Sequence, residues 1–393
     1  AYNDENSNYK PLPFDFSRGS TPTGSKATTI NKDGLIEEVG NNVPRIDYKD
    51  NSKGALLLEP SRTNKALYSE DFSQSFWTKS NASVVSGFSS PDGNNNAYKL
   101  VEAATNSEHY IRCGFIGTTD GGSISPSIFV KSAERSQVVL QESAYTGQFM
   151  TVDLIAETIS TNGQNANLTK LADGWFRIDF INIGRPSTRW KVSPAVNLTS
   201  TYQGDGTSGI YIFGFQLEDN VSYPTSYIPT QGSAVTRLVE TCIQTPPSGV
   251  IGQTEGTMYA QVGEFPKEYN GRVFAIGDGT GNEYITIIKN GLNNNFAVYA
   301  TSGGSVQDVY QGSGTLSNNS KIAVGYKNND YAIYVNGTQV HTNTNASVPS
   351  LAKVFIGSRE NGSPTYSSGG SIADTRLYNT RLTNSELASL TQV

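Results

Sequence analysis

A protein surface that holds a sugar needs a flat apolar ring for the pyranose C–H groups, flanked by amides and carboxylates that satisfy the hydroxyls. The chain has three tryptophans available to be such a ring. Trp77 and Trp175 stand beside alternating apolar residues and read as core. Trp190, in Arg185-Pro-Ser-Thr-Arg-Trp-Lys191, stands in a polar, cationic setting, and two readings of it are open: a stacking platform, or an edge-strand aromatic covering the core. As a platform, its removal would weaken binding and leave the melting temperature nearly unchanged. Tyr145, in Ser143-Ala-Tyr-Thr-Gly-Gln-Phe149, and Tyr310 and Tyr366, in Gly/Ser-rich stretches, are the remaining ring candidates.

Catalytic constellations are absent from the pattern. A retaining glycosidase needs two carboxylates about 5–5.5 Å apart, supplied by a tight acidic cluster on one strand. Glu255, Glu264, Glu268 and Glu283 stand singly, and Glu134 and Glu142 read equally well as the ends of a charged hairpin. Two histidines, His109 and His341, are too few and too isolated for a Ser-His-Asp set or a zinc site. No Gly-rich phosphate loop precedes a helix. Asp278-Gly-Thr-Gly-Asn-Glu283 offers hard oxygen ligands, Asp278, Asn282 and Glu283, that suit Ca²⁺, and it reads also as a plain Gly-rich turn. Cys113 and Cys242 are expected to be buried free thiols rather than a bridge.

These residues must be carried by strands. With 39 Gly, 21 Tyr, 16 Phe and 16% charged residues, the 393-residue chain reads as all-β, with room for two or three cores. In Gly209-Ile-Tyr-Ile-Phe-Gly-Phe-Gln-Leu217 the two-residue period places Tyr211, Phe213, Phe215 and Leu217 on one face and Ile210 and Ile212 on the other. Ser127–Ser132 and Gln137–Glu142 read as a hairpin through Ala133–Ser136. Ile322, Val324 and Tyr326, a Lys327–Asp330 turn, Tyr331, Ile333 and Val335, then Asn336-Gly337 spell successive hairpins. Thr383-Asn-Ser-Glu386 is a capping box, with Leu382 and Leu387 as its staple, so one short helix is expected at Thr383–Leu390. Net charge −6 and the lack of a Lys/Arg cluster argue against a nucleic-acid partner. No apolar run reaches the ~20 residues of a membrane helix, and Ala1–Glu5, polar and acidic, does not read as a signal peptide.

Two phrases are too specific to be products of composition: Gly54-Ala-Leu-Leu-Leu-Glu-Pro-Ser-Arg-Thr-Asn64 and Tyr223-Pro-Thr-Ser-Tyr-Ile-Pro-Thr230. With Pro44–Tyr48, Tyr68-Ser-Glu-Asp-Phe72, Trp77, Gly174–Ile178 and Phe213–Glu218, they give Pro44–Arg237 a resemblance to the carbohydrate-binding-like β-sandwich of bacteriophage head-spike, head-fibre and tail-fibre proteins. From about Gly256, the runs Gly256–Val262, Phe274–Asp278, Tyr331–Thr338, Val354–Ser358 and Ser371–Asn379 resemble a concanavalin-A-like or laminin-G-like jelly roll. Such jelly rolls place ligands in loops like those around Tyr310 and Tyr366, and often hold a structural Ca²⁺. Where many members have Ile-Asp-Glu, however, this chain has Ile372-Ala373-Asp374, which leaves Asp374 as the one carboxylate there.

The expectation is therefore two tandem β-sandwich (jelly-roll) domains: an extended arm (1–15), a small β module leading into the sandwich (16–50), the carbohydrate-binding-like sandwich (51–240), a linker (241–255) and the jelly roll (256–393). The resemblance implies a virion surface protein, extracellular, that binds host polysaccharide without cleaving it, contacts other virion proteins through the arm, and forms a homotrimer. No cofactor beyond Ca²⁺ is expected. A polysaccharide depolymerase and a purely structural capsid or tail decoration protein are the competing classes.

Overall fold

The computed structural model describes residues 2–3, 9–19, 27–144, 147–263, 265, 271–290, 295–312, 317–363 and 369–393. The chain is all-β, with one α-helix, Asn384–Thr391, among the described residues. It divides into two compact units, Pro22–Val39 with Arg62–Arg237, and Ala1–Thr21 with Gly40–Ser61 and Leu238–Val393. This corrects the expected boundaries. The 16–50 module is shared between the units, and most of the Gly54–Asn64 phrase belongs to the jelly roll.

The Arg62–Arg237 unit is a two-sheet sandwich. One sheet runs, in spatial order, Ala82–Phe88, Ala97–Glu102, Gly209–Asp219, Ser123–Ser132, Trp175–Phe180 and Ala166–Lys170. The other runs Thr158–Thr161, Phe149–Asp153, Gln137–Glu142, Trp190–Ala195, Tyr110–Cys113 and Trp77–Ser80. Ser123–Ser132 and Gln137–Glu142 therefore lie in different sheets, and the expected hairpin is a crossover. Its corner is pinned to the first sheet, because Arg135 pairs with Glu102 and Lys99 with Glu134.

The face assignment of Gly209–Leu217 also needs correction. Ile210, Ile212, Phe215 and Leu217 pack into the core between the sheets, while Phe213 and Tyr211 pack on the outside with Phe129, Trp175 and Tyr227. The register slips by one between Phe213 and Gln216. Gly214, at φ +59°, is the extra residue of a β-bulge, and a Cβ there would stand 2.8 Å from the Phe129 ring. The bulge reverses the alternation, so that buried Gln216 and Glu218 face outward toward the closing phrase. Gln216 Oε1 accepts from Ile228 N at 2.7 Å, Glu218 accepts from Thr225 N at 2.8 Å, and Arg177 donates to Thr225 O at 2.7 Å. Asn64 Nδ2 donates to Ile228 O at 2.8 Å. Asn64 of the first phrase and Thr225 and Ile228 of the second are thus spent on fixing the chain.

The second unit is also two-layered. One sheet orders Gly370–Tyr378, Glu255–Val262, Lys321–Lys327, Tyr331–Val335 and Thr338–Asn343, with Ala55–Leu58 and the parallel Tyr2–Asn3 strand both added on Gly370–Tyr378. The other orders Asp15–Ser17, Thr241–Gln244, Lys353–Ile356, Gly271–Gly277, Tyr284–Asn290, Asn295–Ser302 and Ser305–Gln311. Residues 241–244 are consequently a strand of the jelly roll rather than a linker, with Cys242 buried in its core. Of the 1–15 arm, Tyr2–Asn3, Tyr9–Lys10 and the start of Asp15–Ser17 are strands of the unit's own sheets, and Leu12 joins its core, so these described parts lie on their own unit. Asn336 and Gly337, at φ +48° and +82°, make the expected two-residue turn. The capping box of Thr383 and Glu386 forms, and Leu387 packs against Tyr259, Ala323 and Tyr334.

Candidate functional site

The tandem sandwiches place the ring candidates differently from their sequence setting. Trp190 is 0% exposed. Its strand lies mid-sheet between Gln137–Glu142 and Tyr110–Cys113, its ring meets Phe180 edge-on at 5.2 Å, and its backbone N–H reaches Cys113 Sγ at 3.1 Å. No ring face is left for a sugar, and the stacking-platform reading is corrected to core packing. Trp190→Ala is therefore expected to destabilise this unit by about 3–5 kcal/mol, the cost of emptying a large buried aromatic site; urea unfolding followed by tryptophan emission measures it. The cationic neighbours that suggested a surface site sit on the alternate, outward positions.

Tyr310 belongs to the Ser305–Gln311 strand rather than to a loop. It packs half-buried between Phe296 and His341, at 5.2 and 5.5 Å, and burial pushes its hydroxyl pKa upward. Tyr145 and Tyr366 lie outside the described residues. Of the calcium candidates, Glu283 spends its carboxylate on the N–H groups of Gly303 and Ser350, and Asp278 closes a local turn through Thr280 N at 2.8 Å. Asp374 lies on the opposite sheet, paired with Arg376 at 2.7 Å. Asn282 remains in the 278–283 loop, and among the described residues no three metal-ligating His, Cys, Asp or Glu groups converge. Cys113 and Cys242 are both free and buried, and burial pushes each thiol up to about 12. The folded protein is accordingly expected to resist a thiol reagent at pH 8 and to react at both sites only once denatured, as counted by reagent absorbance.

The structure instead opens a cleft of about 560 Å³ in the Arg62–Arg237 unit, lined by Tyr68, Glu70, Asp71, Ser86, Asn95, Asn96, Tyr98 and Gln231 among others. Three segments bring these residues together. Tyr68 pairs its backbone with Gln231, at the end of the closing phrase. Ser86 lies on Ala82–Phe88, and Tyr98 on the adjacent Ala97–Glu102 strand, whose preceding turn supplies Asn95 and Asn96. The order behind the cleft comes from Asp71, which accepts from Tyr98 Oη at 2.8 Å, Gln74 Nε2 at 2.7 Å and Ser73 N at 3.0 Å. Burial would raise its pKa, but these hydrogen bonds outweigh it and hold the carboxyl at about 2. Glu70 accepts from the Tyr227 hydroxyl at 3.0 Å.

Asn96 and Thr230 are likewise held, by Asp92 and by Ser69, but four polar groups of the lining are uncommitted. The Tyr68 hydroxyl and the Ser86, Asn95 and Gln231 side chains have no hydrogen-bond partner among the described residues. An aromatic wall, two ionised or hydrogen-bonded carboxylates and loose amides form the combination that meets a sugar's C–H face and its hydroxyls. Sequence reasoning quoted Tyr68–Phe72 as a motif and passed over it as a site. The signal available was its pair of adjacent acids beside a tyrosine; the distant Asn95 and Gln231 could be joined to it only by the strand pairing.

Comparison with known proteins gives one family match, which falls in the other unit. Residues 245–388 match the family model described as the concanavalin A-like lectin/glucanases superfamily, which makes this part of the chain a lectin-like jelly roll. No curated protein matches the chain. Among solved structures, the CBM40 module of the Ruminococcus gnavus IT-sialidase, bound to α2,3-sialyllactose, is similar at 17% identity, covering 36% of this chain and 84% of that one with a TM-score of 0.32. The K499G mutant of NanB sialidase from Streptococcus pneumoniae shares 17% identity over 36% of this chain and 25% of its own, TM-score 0.32. A heptameric SAP-like pentraxin from Limulus polyphemus shares 14% over 35% and 70%, TM-score 0.29.

Proposed function

We propose that the protein binds glycan in the Tyr68–Gln231 cleft and does not turn it over. The observation that carries this reading is the convergence of two tyrosines with unpartnered Ser86, Asn95 and Gln231 beside carboxylates fixed by the fold. A general acid must hold a proton near the working pH and release it to the leaving oxygen. Asp71, held at about 2 and spending its oxygens on protein donors, has no proton to give. The cleft therefore orients a saccharide without supplying proton transfer through Asp71.

The virion-surface role is supported by the phrases between Pro44 and Arg237 that resemble phage head-spike and fibre modules. On that reading the chain sits outside the particle, its lectin-like jelly roll provides a second weak contact with host polysaccharide, and many copies per particle raise avidity. The homotrimer rests on the same resemblance alone, since the described parts of the arm lie on their own unit; light scattering giving a monomer at every concentration removes it. The test of the functional reading is a glycan array, followed by incubation of each bound polysaccharide with the protein. Retention with unchanged chain length supports it. Shortened chains establish a depolymerase, and no retention on any glycan leaves the decoration role.

A further inference from the structure

Phe115 is 68% exposed, large for an aromatic side chain with neighbours available to cover it. The guanidinium of Arg189 lies over its ring, 4.1 Å from the centroid. Arg189 makes no side-chain hydrogen bond or ion pair among the described residues, so its N–H donors are open. Glu142, which adjoins the Arg189 backbone, is turned inward, accepting from Arg189's own backbone N–H at 3.0 Å and from Ala144 N at 2.6 Å. A second arginine, Arg112, adjoins the same segment: its guanidinium reaches Ser143 Oγ at 3.4 Å, and Ser143 N in turn donates to the Arg189 backbone carbonyl at 2.7 Å. Neither arginine has a carboxylate partner among the described residues.

This pair is continuous with the cleft. The Tyr68 ring lies 6.4 Å from that of Phe76, and Phe76 presses on the backbone of Gly114, where a Cβ would meet its ring at 3.0 Å. Phe115 is the next residue. A path of adjoining residues thus leads from the cleft wall through half-buried Phe76 and the Gly114 backbone to Phe115, with the open donors at its far end.

We infer that the glycan-binding surface extends along this path and that Arg189 receives a carboxylate, so that the preferred ligand is an oligomeric uronate-bearing polysaccharide. The inference rests on the cleft as a glycan site. The physical reasons are specific. A guanidinium presents two parallel N–H groups that match a carboxylate bidentately. Stacking on Phe115 holds that fork flat, reducing the rotamer entropy lost on binding. The part of the ring not covered by the guanidinium supplies an apolar contact for the adjacent sugar. A protein of net charge −6 repels polyanions overall, so a uronate must be attracted locally, and unpaired Arg189 and Arg112 provide that attraction.

The test uses the intact chain with galacturonate and alginate hexamers and with their carboxyl-reduced, neutral counterparts. Wild type is expected to bind at least one acidic hexamer about tenfold more tightly than its reduced form, the size of one charge-assisted hydrogen bond. Arg189→Ala should erase that ratio and leave the affinity for the reduced form unchanged. Phe115→Ala should weaken both forms. Equal binding of acidic and reduced hexamers by wild type, or an unchanged ratio in Arg189→Ala, overturns the inference. Failure to bind any acidic hexamer overturns it as well, while Tyr68→Ala tested on neutral glycans judges the cleft separately.

Discussion

Glu240→Ala is expected to destabilise the lectin-like unit by about 3–5 kcal/mol, the cost of leaving buried charge without its partner. Glu240 is fully buried and accepts from Arg18 at 2.8 Å, from Arg45 Nε at 2.7 Å and from the Glu59 N–H at 2.9 Å. Arg45 is also held by Glu59 at 2.8 Å. Burial alone would lower the pKa of Arg45, but Glu240 and Glu59 raise it above its ordinary value, so it stays charged in the core. Removing the one carboxylate that joins both arginines takes a shared counter-charge from two buried guanidiniums, with Glu59 still beside Arg45. The segments tied through it are Asp15–Ser17, Arg45–Asp47, Ala55–Leu58 and Thr241–Gln244, which are drawn from three separate stretches of sequence. Peptide-resolved hydrogen exchange should show these strands losing protection first. Unchanged protection in Glu240→Ala would mean that the network does not hold the unit together.

Tyr68→Ala is expected to weaken glycan binding by about 2 kcal/mol, roughly 30-fold in Kd, as for an aromatic anchor in a binding patch. Tyr68 is half-buried, its ring packs loosely on Phe76 at 6.4 Å, and its hydroxyl is unpaired. Its backbone carbonyl takes the Trp77 Nε1 proton at 2.8 Å, a contact that alanine keeps. The substitution should therefore cost little stability. Isothermal titration with the best-retained glycan, alongside a melting curve, separates the two effects. Loss of binding matched by a large fall in melting temperature would point to unfolding instead.

Much of the fold was legible in local chemistry. The capping box at Thr383, the Asn336-Gly337 turn and the alternation of Ile322, Val324 and Tyr326 are short-range signals, and each forms in the structure. What failed was long-range. Nothing near Thr241–Gln244 says that Asp15–Ser17 and Lys353–Ile356 will flank it, so a strand read as a linker. Gly214 hides a bulge that only its partner strand's register exposes. Trp190 misled because its chain neighbours are polar, whereas a strand alternates: Arg189 and Lys191 face away while Trp190 turns inward. The cleft was half-legible. Tyr68–Phe72 stood out as a phrase, but its partners Asn95 and Gln231 reach it through strand pairing and a closing loop.

The most direct test of glycan binding in the cleft is to follow the side-chain amide NMR resonances of Asn95 and Gln231 during titration with the best-retained glycan from the array. Saturable shifts of both amides, abolished by Tyr68→Ala and accompanied by no shortening of the glycan, are the predicted result. Shifts confined to residues 245–388, with Asn95 and Gln231 unmoved, would contradict it.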